Sequence, residues 1–215
     1  MMDNRIERYR EYRTEGQELN SKLLDFLNDD ELMESARFLG MTKEEGDEEY
    51  LYHEGEMDMA TQSDYAIHEL ERDGTTALER FYQAERWETE IEREILEALR
   101  ESYTSLFVIE EVHPDERVLV LHDVLEEGES PIELTDVKLS QTADTDALIF
   151  IRRVPLPEMN ITSGFVLPFE AGYKDHLISV NQQVMEKTAS RPESARRFYV
   201  FYRMYQKYGS LGFVM

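Results

Sequence analysis

The chain of 215 residues has no cysteine and no apolar run near the roughly eighteen residues of a membrane span. The lack of cysteine excludes disulfides, thiolate zinc sites and cysteine nucleophiles. The opening MMDNRIERYREYR is too charged to act as a secretory signal peptide. Together these absences predict a cytoplasmic protein without a membrane partner.

Lysine is also scarce, with 6 residues against 17 arginines, while acidic side chains number 47 and basic ones 23. The formal net charge of −24 opposes a compact state at low salt. At molar ionic strength the screening length falls to about 3 Å, so the repulsion nearly vanishes. The composition therefore predicts a protein adapted to high salt, a halophilic source. Because glutamate exceeds aspartate by 33 to 14, an ordinary acidic cytosolic protein stays open as the alternative.

Sequence motifs that indicate a bound cofactor are absent as well. Neither GxGxxG nor GxxxxGK[ST] occurs, and HExxH and the EF-hand spacing are absent. No nucleophile elbow of the GxSxG type is present. The sequence accordingly predicts no cofactor and, on balance, no enzyme.

The first part of the chain, residues 1–103, has helical periodicity and is predicted to form an acidic helical lobe of four or five helices. Leu19, Leu23 and Leu27 recur at helical spacing, and Gly40 stands where a C-cap is expected. The segment KEEGDEEYLYHEGEMDMA carries eight carboxylates around two glycines. It is predicted to be a solvated acidic loop.

Residues 104–170 change to a period of two and are predicted to form a small antiparallel β-barrel of five strands, SH3-like or OB-like. SLFVIEEV and RVLVLHDVL are apolar runs that flank a hairpin turn at residues 113–116. Closure into a barrel removes exposed strand edges. Alternation along these strands predicts six inward residues: Leu106, Val108, Val118, Val120, Ile149 and Ile151.

Residues 171–215 are predicted to form C-terminal helices, and they carry seven basic and three acidic side chains. The net charge of +4 contrasts with −28 for the rest of the chain. We therefore expect this basic helical tail to pack back on the acidic remainder. The fold class predicted for the whole chain is α+β, with a helical N-terminal lobe, a small barrel and C-terminal helices.

Histidine supplies the candidate metal ligands. Asp64 precedes His68 by one helical turn, so the carboxylate and the imidazole share a face, and His53 lies among carboxylates nearby. A metal-dependent enzyme that uses His53, His68 and nearby carboxylates is therefore one alternative. Because nearly one residue in four is acidic, such spacing is also expected by chance, and a surface or half-buried role for these histidines is favoured.

The tail helix offers a second candidate surface, formed by Arg196, Arg197, Tyr199, Arg203 and Lys207. Basic residues that alternate with aromatic ones bind nucleic acid through phosphate contacts and base stacking. The same pattern suits a helix that docks on its own acidic protein with Phe201 and Tyr205 buried. Self-docking is favoured, nucleic acid is an unlikely partner, and another protein remains open.

Part of the chain resembles a group of uncharacterised prokaryotic proteins that have a helical region followed by a small β-module. The resemblance spans residues 63–169 and rests on the Asp73-Gly74 turn, the segment Asp123-Val124-Leu125 and the pair Arg152-Arg153. Some members carry a SEC-C zinc motif, which implies adaptor or interaction work. This chain has no cysteine, so the zinc does not transfer. The favoured function is thus a noncatalytic interaction or scaffold protein of a salt-rich cytoplasm.

Overall fold

The structure is a computed structural model in which residues 2–126, 128, 130–187 and 191–209 are described. The N-terminal lobe contains five helices within these ranges, as the sequence predicts. They are α1 (Met2–Phe26), α2 (Asp29–Leu39), α3 (Glu56–His68), α4 (Ala77–Gln83) and α5 (Glu90–Arg100). Gly40 ends α2 at a φ of 77°, so the predicted C-cap is confirmed.

The predicted acidic loop after α2 is largely a β-hairpin, and that prediction was wrong. Strands β1 (Thr42–Glu45) and β2 (Glu48–Leu51) pair antiparallel, and Gly46 adopts a φ of 66° in the turn. Its strands are mostly exposed, so their carboxylates stay solvated. Because most of their residues are acidic, the two strands lack the apolar alternation by which a strand is recognised in a sequence. A second, minimal hairpin joins β3 (Glu71–Arg72) to β4 (Thr75–Thr76).

Five strands close into a barrel, as predicted, in the order β5-β6-β7-β9-β8. The strands are β5 (Tyr103–His113), β6 (Val118–Asp123), β7 (Ile132–Thr135), β8 (Leu148–Leu156) and β9 (Met159–Phe169). A short helix, α6 (Leu139–Thr142), connects β7 to β8. This order, in which the last strand returns between the third and the fourth, is that of an OB-type barrel rather than an SH3-like one.

One strand pair differs from the antiparallel prediction. β7 and β9 run parallel and meet at Leu134 and Asn160. The other four pairs of the barrel are antiparallel. The parallel pair arises because β9 closes the barrel after a crossover, a long-range choice that hairpin signals do not encode.

The first hairpin forms as expected, with its loop between His113 and Val118. The predicted inward face is correct for Ile149 and Ile151, which belong to the barrel interior. It is wrong for β5 and β6, where the interior residues are Phe107, Ile109, Leu119 and Leu121. Both faces of β5 are apolar because its outer face is covered too, so alternation did not distinguish the two sides.

The outer wall of the barrel is covered by helices on two sides. The last helices, α7 (Lys174–Lys187) and α8 (Glu193–Tyr208), follow a short 3₁₀ turn at Ala171–Tyr173. α8 buries Phe198, Phe201 and Tyr202 in a core that includes Leu106 of β5. On the other side, α1, α4 and α5 pack on the ends of β8 and β9.

Among the described residues, no helix is long and apolar enough to cross a membrane.

Candidate functional site

A cleft of about 410 Å³ opens between the helical lobe and β9. Its floor is apolar and comes from α1, α5 and the barrel strands: Leu23, Ile95, Leu99, Val154, Ile161 and Phe165. Its rim is polar and carries Gln17, Asn20, Ser21, Ser63 and His68. An apolar cavity with a few polar groups at its edge is the usual form of a ligand site.

A buried ion-pair network lies beside this cleft. Nε of Arg152 is 2.8 Å from Oδ1 of Asp64, and its Nη2 is 2.6 Å from Oε1 of Glu69. The three residues are 3 %, 6 % and 5 % exposed. Burial raises the pKa of Asp64 despite the opposing charge of Arg152 and a hydrogen bond from Ser163. A buried pair of this kind is costly to break, because one partner alone leaves an uncompensated charge.

The backbone of β9 is irregular at the same place. Residues 163–165 lie opposite the single residue Arg152 of β8, where the pairing register shifts. The wide bulge brings the Ser163 hydroxyl to Asp64, to which it donates a hydrogen bond. Bulges commonly re-aim side chains next to functional sites.

His68 lies one helical turn after Asp64 and is half-buried on the cleft wall. Its ring forms no hydrogen bond to any residue that the structure describes. Burial lowers the pKa of this imidazole well below its ordinary value, and the charge of Arg152 lowers it further. The ring is therefore neutral near pH 7 and can accept and donate one hydrogen bond each.

Arg13 of α1 borders the cleft and fixes α1 to the barrel. Its guanidinium donates to the carbonyl and the hydroxyl of Thr162, at 2.8 and 2.9 Å, and to Asp136 at 2.9 Å. Its Nε donates to the Tyr9 hydroxyl at 3.0 Å. The positive charge next to the cleft is thus matched by Asp136.

A second cavity of about 300 Å³ adjoins the cleft on the far side of Arg13. The two cavities share four lining residues, namely Arg13, Gln17, Thr162 and Gly164. The second cavity is closed by the connection after β7, with Asp136 and Leu139 in its wall. Together the two cavities form a groove between α1 and β9.

The three candidate metal ligands are not gathered at one point. His53 lies outside the cleft lining, and its Nε2 is 2.5 Å from Oε1 of Gln62. Asp64 is engaged with Arg152, and His68 faces the cleft. Within the described ranges, no three histidine, cysteine, aspartate or glutamate side chains form a group that could hold a metal ion.

Two arginines of the candidate tail surface bind their own protein. Arg196 donates to the carbonyl of Met185 at 2.9 Å. Arg197 donates to the carbonyl of Thr104 at 3.2 Å and to Glu193 at 3.0 Å. The side chain of Arg197 is only 14 % exposed. Both guanidinium groups are therefore occupied within the molecule.

The remaining tail candidates lie further out on α8. The Tyr199 ring packs against Phe38, with centroids 4.9 Å apart. Arg203 is exposed, and the ammonium of Lys207 lies 4.8 Å from the centroid of the Tyr208 ring. The structure thus leaves Arg203 and Lys207 as the solvent-facing cations of this set.

Sequence reasoning identified Asp64 and His68 but missed Arg13, Gly16 and Ser163 of the same cleft. One signal was available for Gly16, because a glycine in the middle of a helix costs about 1 kcal/mol relative to alanine. Ser163 carried no signal, since its role depends on a bulge formed with a distant strand.

Comparisons with known proteins were made for the whole chain. No curated protein and no solved structure matches it. A family model described as a family of unknown function (DUF7986) matches residues 3–214. Because this match covers nearly the whole chain, the protein belongs to that family of unknown function.

Proposed function

We propose that the protein is a noncatalytic interaction protein whose cleft binds an uncharged amphipathic ligand. The observation that carries the proposal is the division of the cleft into an apolar floor and a polar rim, whose charged members Arg13 and Asp64 are paired within the protein. The side-chain amides of Gln17 and Asn20 form no hydrogen bond to any described residue. A ligand with an apolar body and hydroxyl or amide groups would satisfy both parts of this surface.

Charge complementarity favours an uncharged ligand. Asp136 neutralises Arg13, and Arg152 is held between Asp64 and Glu69, so neither cation is free to bind an anion. The net charge of −24 repels anions from the protein as a whole. The ligand is therefore expected to be recognised by shape and neutral hydrogen bonds.

The noncatalytic part of the proposal rests on the sequence, which has no nucleophile elbow and no glycine-rich phosphate loop. The Ser163 hydroxyl donates to Asp64, whose other oxygen accepts from Arg152. Asp64 therefore acts as an acceptor inside an ion pair, beside the cleft.

Gly16 provides the second support for a ligand. It lines the cleft in the middle of α1, and a Cβ added there would meet no atom within 4 Å. Packing therefore does not require a glycine at this position, and an alanine would favour the helix. We interpret Gly16 as a residue that keeps the cleft wide enough for its ligand.

A fluorescence titration with prodan, a neutral naphthyl ketone, tests the proposal. Prodan combines an apolar ring system with a carbonyl acceptor, so we expect saturable binding with a blue shift of its emission. Gly16→Leu should abolish this binding by filling the cleft. Thr14→Leu, on an exposed position of the same helix, is the matched control and should bind as the wild type does.

The melting temperature of each variant separates cleft filling from misfolding. Leucine is a better helix former than glycine, so Gly16→Leu should unfold no earlier than the wild type. Saturable binding that Gly16→Leu leaves unchanged would contradict the proposal. The absence of any prodan binding to the wild type would contradict it as well.

A role in nucleic-acid binding is less favoured. Arg196 and Arg197, which directly precede the aromatic residues of α8, are bound to carbonyl and carboxylate groups of the same chain. Neutralising phosphates would require several free cations on one surface. Arg203 and Lys207 alone would have to overcome the acidic remainder of the molecule.

We further propose that this binding takes place in a salt-rich cytoplasm. Scarce lysine and abundant carboxylates suit a medium in which surface charges are screened. A cleft without free charge can also bind its ligand in such a medium, because apolar burial and neutral hydrogen bonds do not weaken with screening as ionic contacts do. Affinity for prodan should accordingly persist in molar KCl.

A further inference from the structure

The strand β9 has one paired edge and one largely open edge. Its paired edge follows β8 along the length of the strand. On the opposite edge, the described part of the chain pairs with β9 at only two points, Leu134 with Asn160 and Gly209 with Phe169. Residues 161–168 thus lack a strand partner on that side.

This open edge faces the groove. Thr162, Gly164 and Val166 line the second cavity, and residues 161–165 line the first. A strand edge presents a row of backbone donors and acceptors that readily pair with another chain. Here that row borders a groove with an apolar floor.

Gly164 makes the backbone of this edge accessible. It is exposed, it adopts a φ of 131° that side chains rarely tolerate, and a Cβ there would meet no atom within 4 Å. Glycine within a strand marks a bulge or the close approach of another backbone, and Gly164 lies in the bulge opposite Arg152. No side chain therefore screens the edge at its midpoint.

Two contacts within the chain occupy the ends of this edge. Gly209 forms an antiparallel bridge with Phe169 at one end. The carbonyl of Thr162 accepts a hydrogen bond from Arg13 at 2.8 Å near the other end. Between them lie several residues without a strand partner.

We propose that an extended, uncharged peptide segment binds in the groove as an added strand on β9, along residues 162–166. Its backbone would pair with the open groups of this edge, apart from the Thr162 carbonyl, which already accepts from Arg13. Alternate side chains would enter the two cavities. This inference rests on the proposed function, since it names the ligand class of the same cleft. Arg13 and Arg152 are already matched within the protein and call for no acidic side chain in the peptide. Lys138 lines only the second cavity, at an exposed position.

Binding of the blocked peptide acetyl-Thr-Val-Thr-Val-Thr-amide to the full chain tests the inference. We expect saturable binding, together with slower hydrogen exchange of the backbone amides of residues 162–166, followed by NMR. The same peptide N-methylated at its central residue loses one backbone donor and should bind at least tenfold more weakly. Gly16→Leu should weaken binding, and Thr14→Leu should not.

The outcomes separate the two proposals. If prodan binds but the blocked peptide does not, or if both peptides bind alike without protecting β9, the added strand is wrong while the proposed function stands. If neither prodan nor the peptide binds, both proposals fail.

A third variant addresses residues 210–215, an uncharged stretch that follows Gly209 in the sequence. Tighter peptide binding by Phe213→Ser would overturn the assignment of the edge to a separate peptide, because the chain itself would be the competing occupant.

Discussion

His68 is the residue of the cleft whose protonation is most strongly opposed by its surroundings. Burial and the nearby Arg152 charge lower its pKa in the folded protein, whereas an unfolded histidine titrates near 6.5. Below about pH 6.5 the His68 imidazole therefore binds a proton in the unfolded state but not in the folded state. The stability that depends on neutral His68 is present above that pH and is lost as the pH falls.

We predict that His68→Gln flattens the pH dependence of stability. Between pH 7 and pH 5 the wild type should lose about 1 kcal/mol more free energy of unfolding than the variant does. Urea unfolding at several pH values measures the difference. His176→Gln, at an exposed position, serves as the control, and a slope unchanged by His68→Gln would contradict the prediction.

At this scale, sequence predicts neighbours along a helix better than partners across the fold. The spacing of Asp64 and His68 follows from helix geometry, and both residues reach the cleft. Arg152 and Ser163 join Asp64 from 88 and 99 residues away. No local pattern encodes such partners, because the bulge in β9 and the packing of α3 on the barrel decide them.

Among the elements, α8 contributes both kinds of contact that were expected of a tail docked on its own protein, namely buried aromatic rings and bonded arginines. Its Phe201 stacks on Phe150 of β8, with centroids 4.5 Å apart and planes at 16°. Its Arg197 reaches a backbone carbonyl and two largely exposed carboxylates. Apolar burial should therefore dominate the stability that α8 contributes.

Replacing the ring and the guanidinium in turn tests this balance. Phe201→Ala should lower the free energy of unfolding by about 3–5 kcal/mol, as removal of a buried aromatic side chain does. Arg197→Ala should cost about 1–2 kcal/mol, since its ionic partners are solvent-screened. Urea unfolding of both variants checks the order. The opposite result would be that Phe201→Ala leaves stability intact while the wild type binds single-stranded DNA at micromolar concentration and Arg197→Ala abolishes that binding. In that case α8 would be a nucleic-acid-binding helix and not a helix docked on its own protein.

The elements themselves were predictable where local signals dominate. The helices of the lobe, the first hairpin and the two last helices follow from periodicity, caps and turn residues. The inward face of β5 was not predictable, because α8 covers its outer surface and both sides of the strand are apolar. β6 also carries apolar residues on both faces, Val118 and Val120 on one and Leu119 and Leu121 on the other, so alternation does not separate them. The parallel pairing of β9 with β7 depends on barrel closure, which composition does not reveal.

For the whole molecule, the net charge of −24 governs the response to salt. Repulsion among carboxylates is stronger in the compact state than in the unfolded chain, and salt screens it. Many ion pairs of the described residues have at least one exposed partner and lose little when they are screened. The buried pairs of Arg152 are screened much less. Screening should therefore stabilise the fold.

The melting temperature should rise as KCl increases from tens of millimolar to molar concentration. Differential scanning calorimetry measures the shift, and NaCl at the same ionic strength distinguishes screening from specific binding of potassium. A melting temperature that stays constant or falls across this range would contradict salt adaptation. Composition alone leads to this prediction.

The bond between Arg13 and Thr162 joins residues 149 positions apart, and this separation has a consequence for biosynthesis. At about 5–20 residues per second, roughly 7–30 s pass between the synthesis of α1 and that of its strand partner. During that interval the apolar side of α1 has no barrel to cover it. α1 can meanwhile pack on α4 and α5, with which it shares a hydrophobic cluster. The helical lobe can therefore form first, and the bond between α1 and β9 follows once β9 leaves the ribosome.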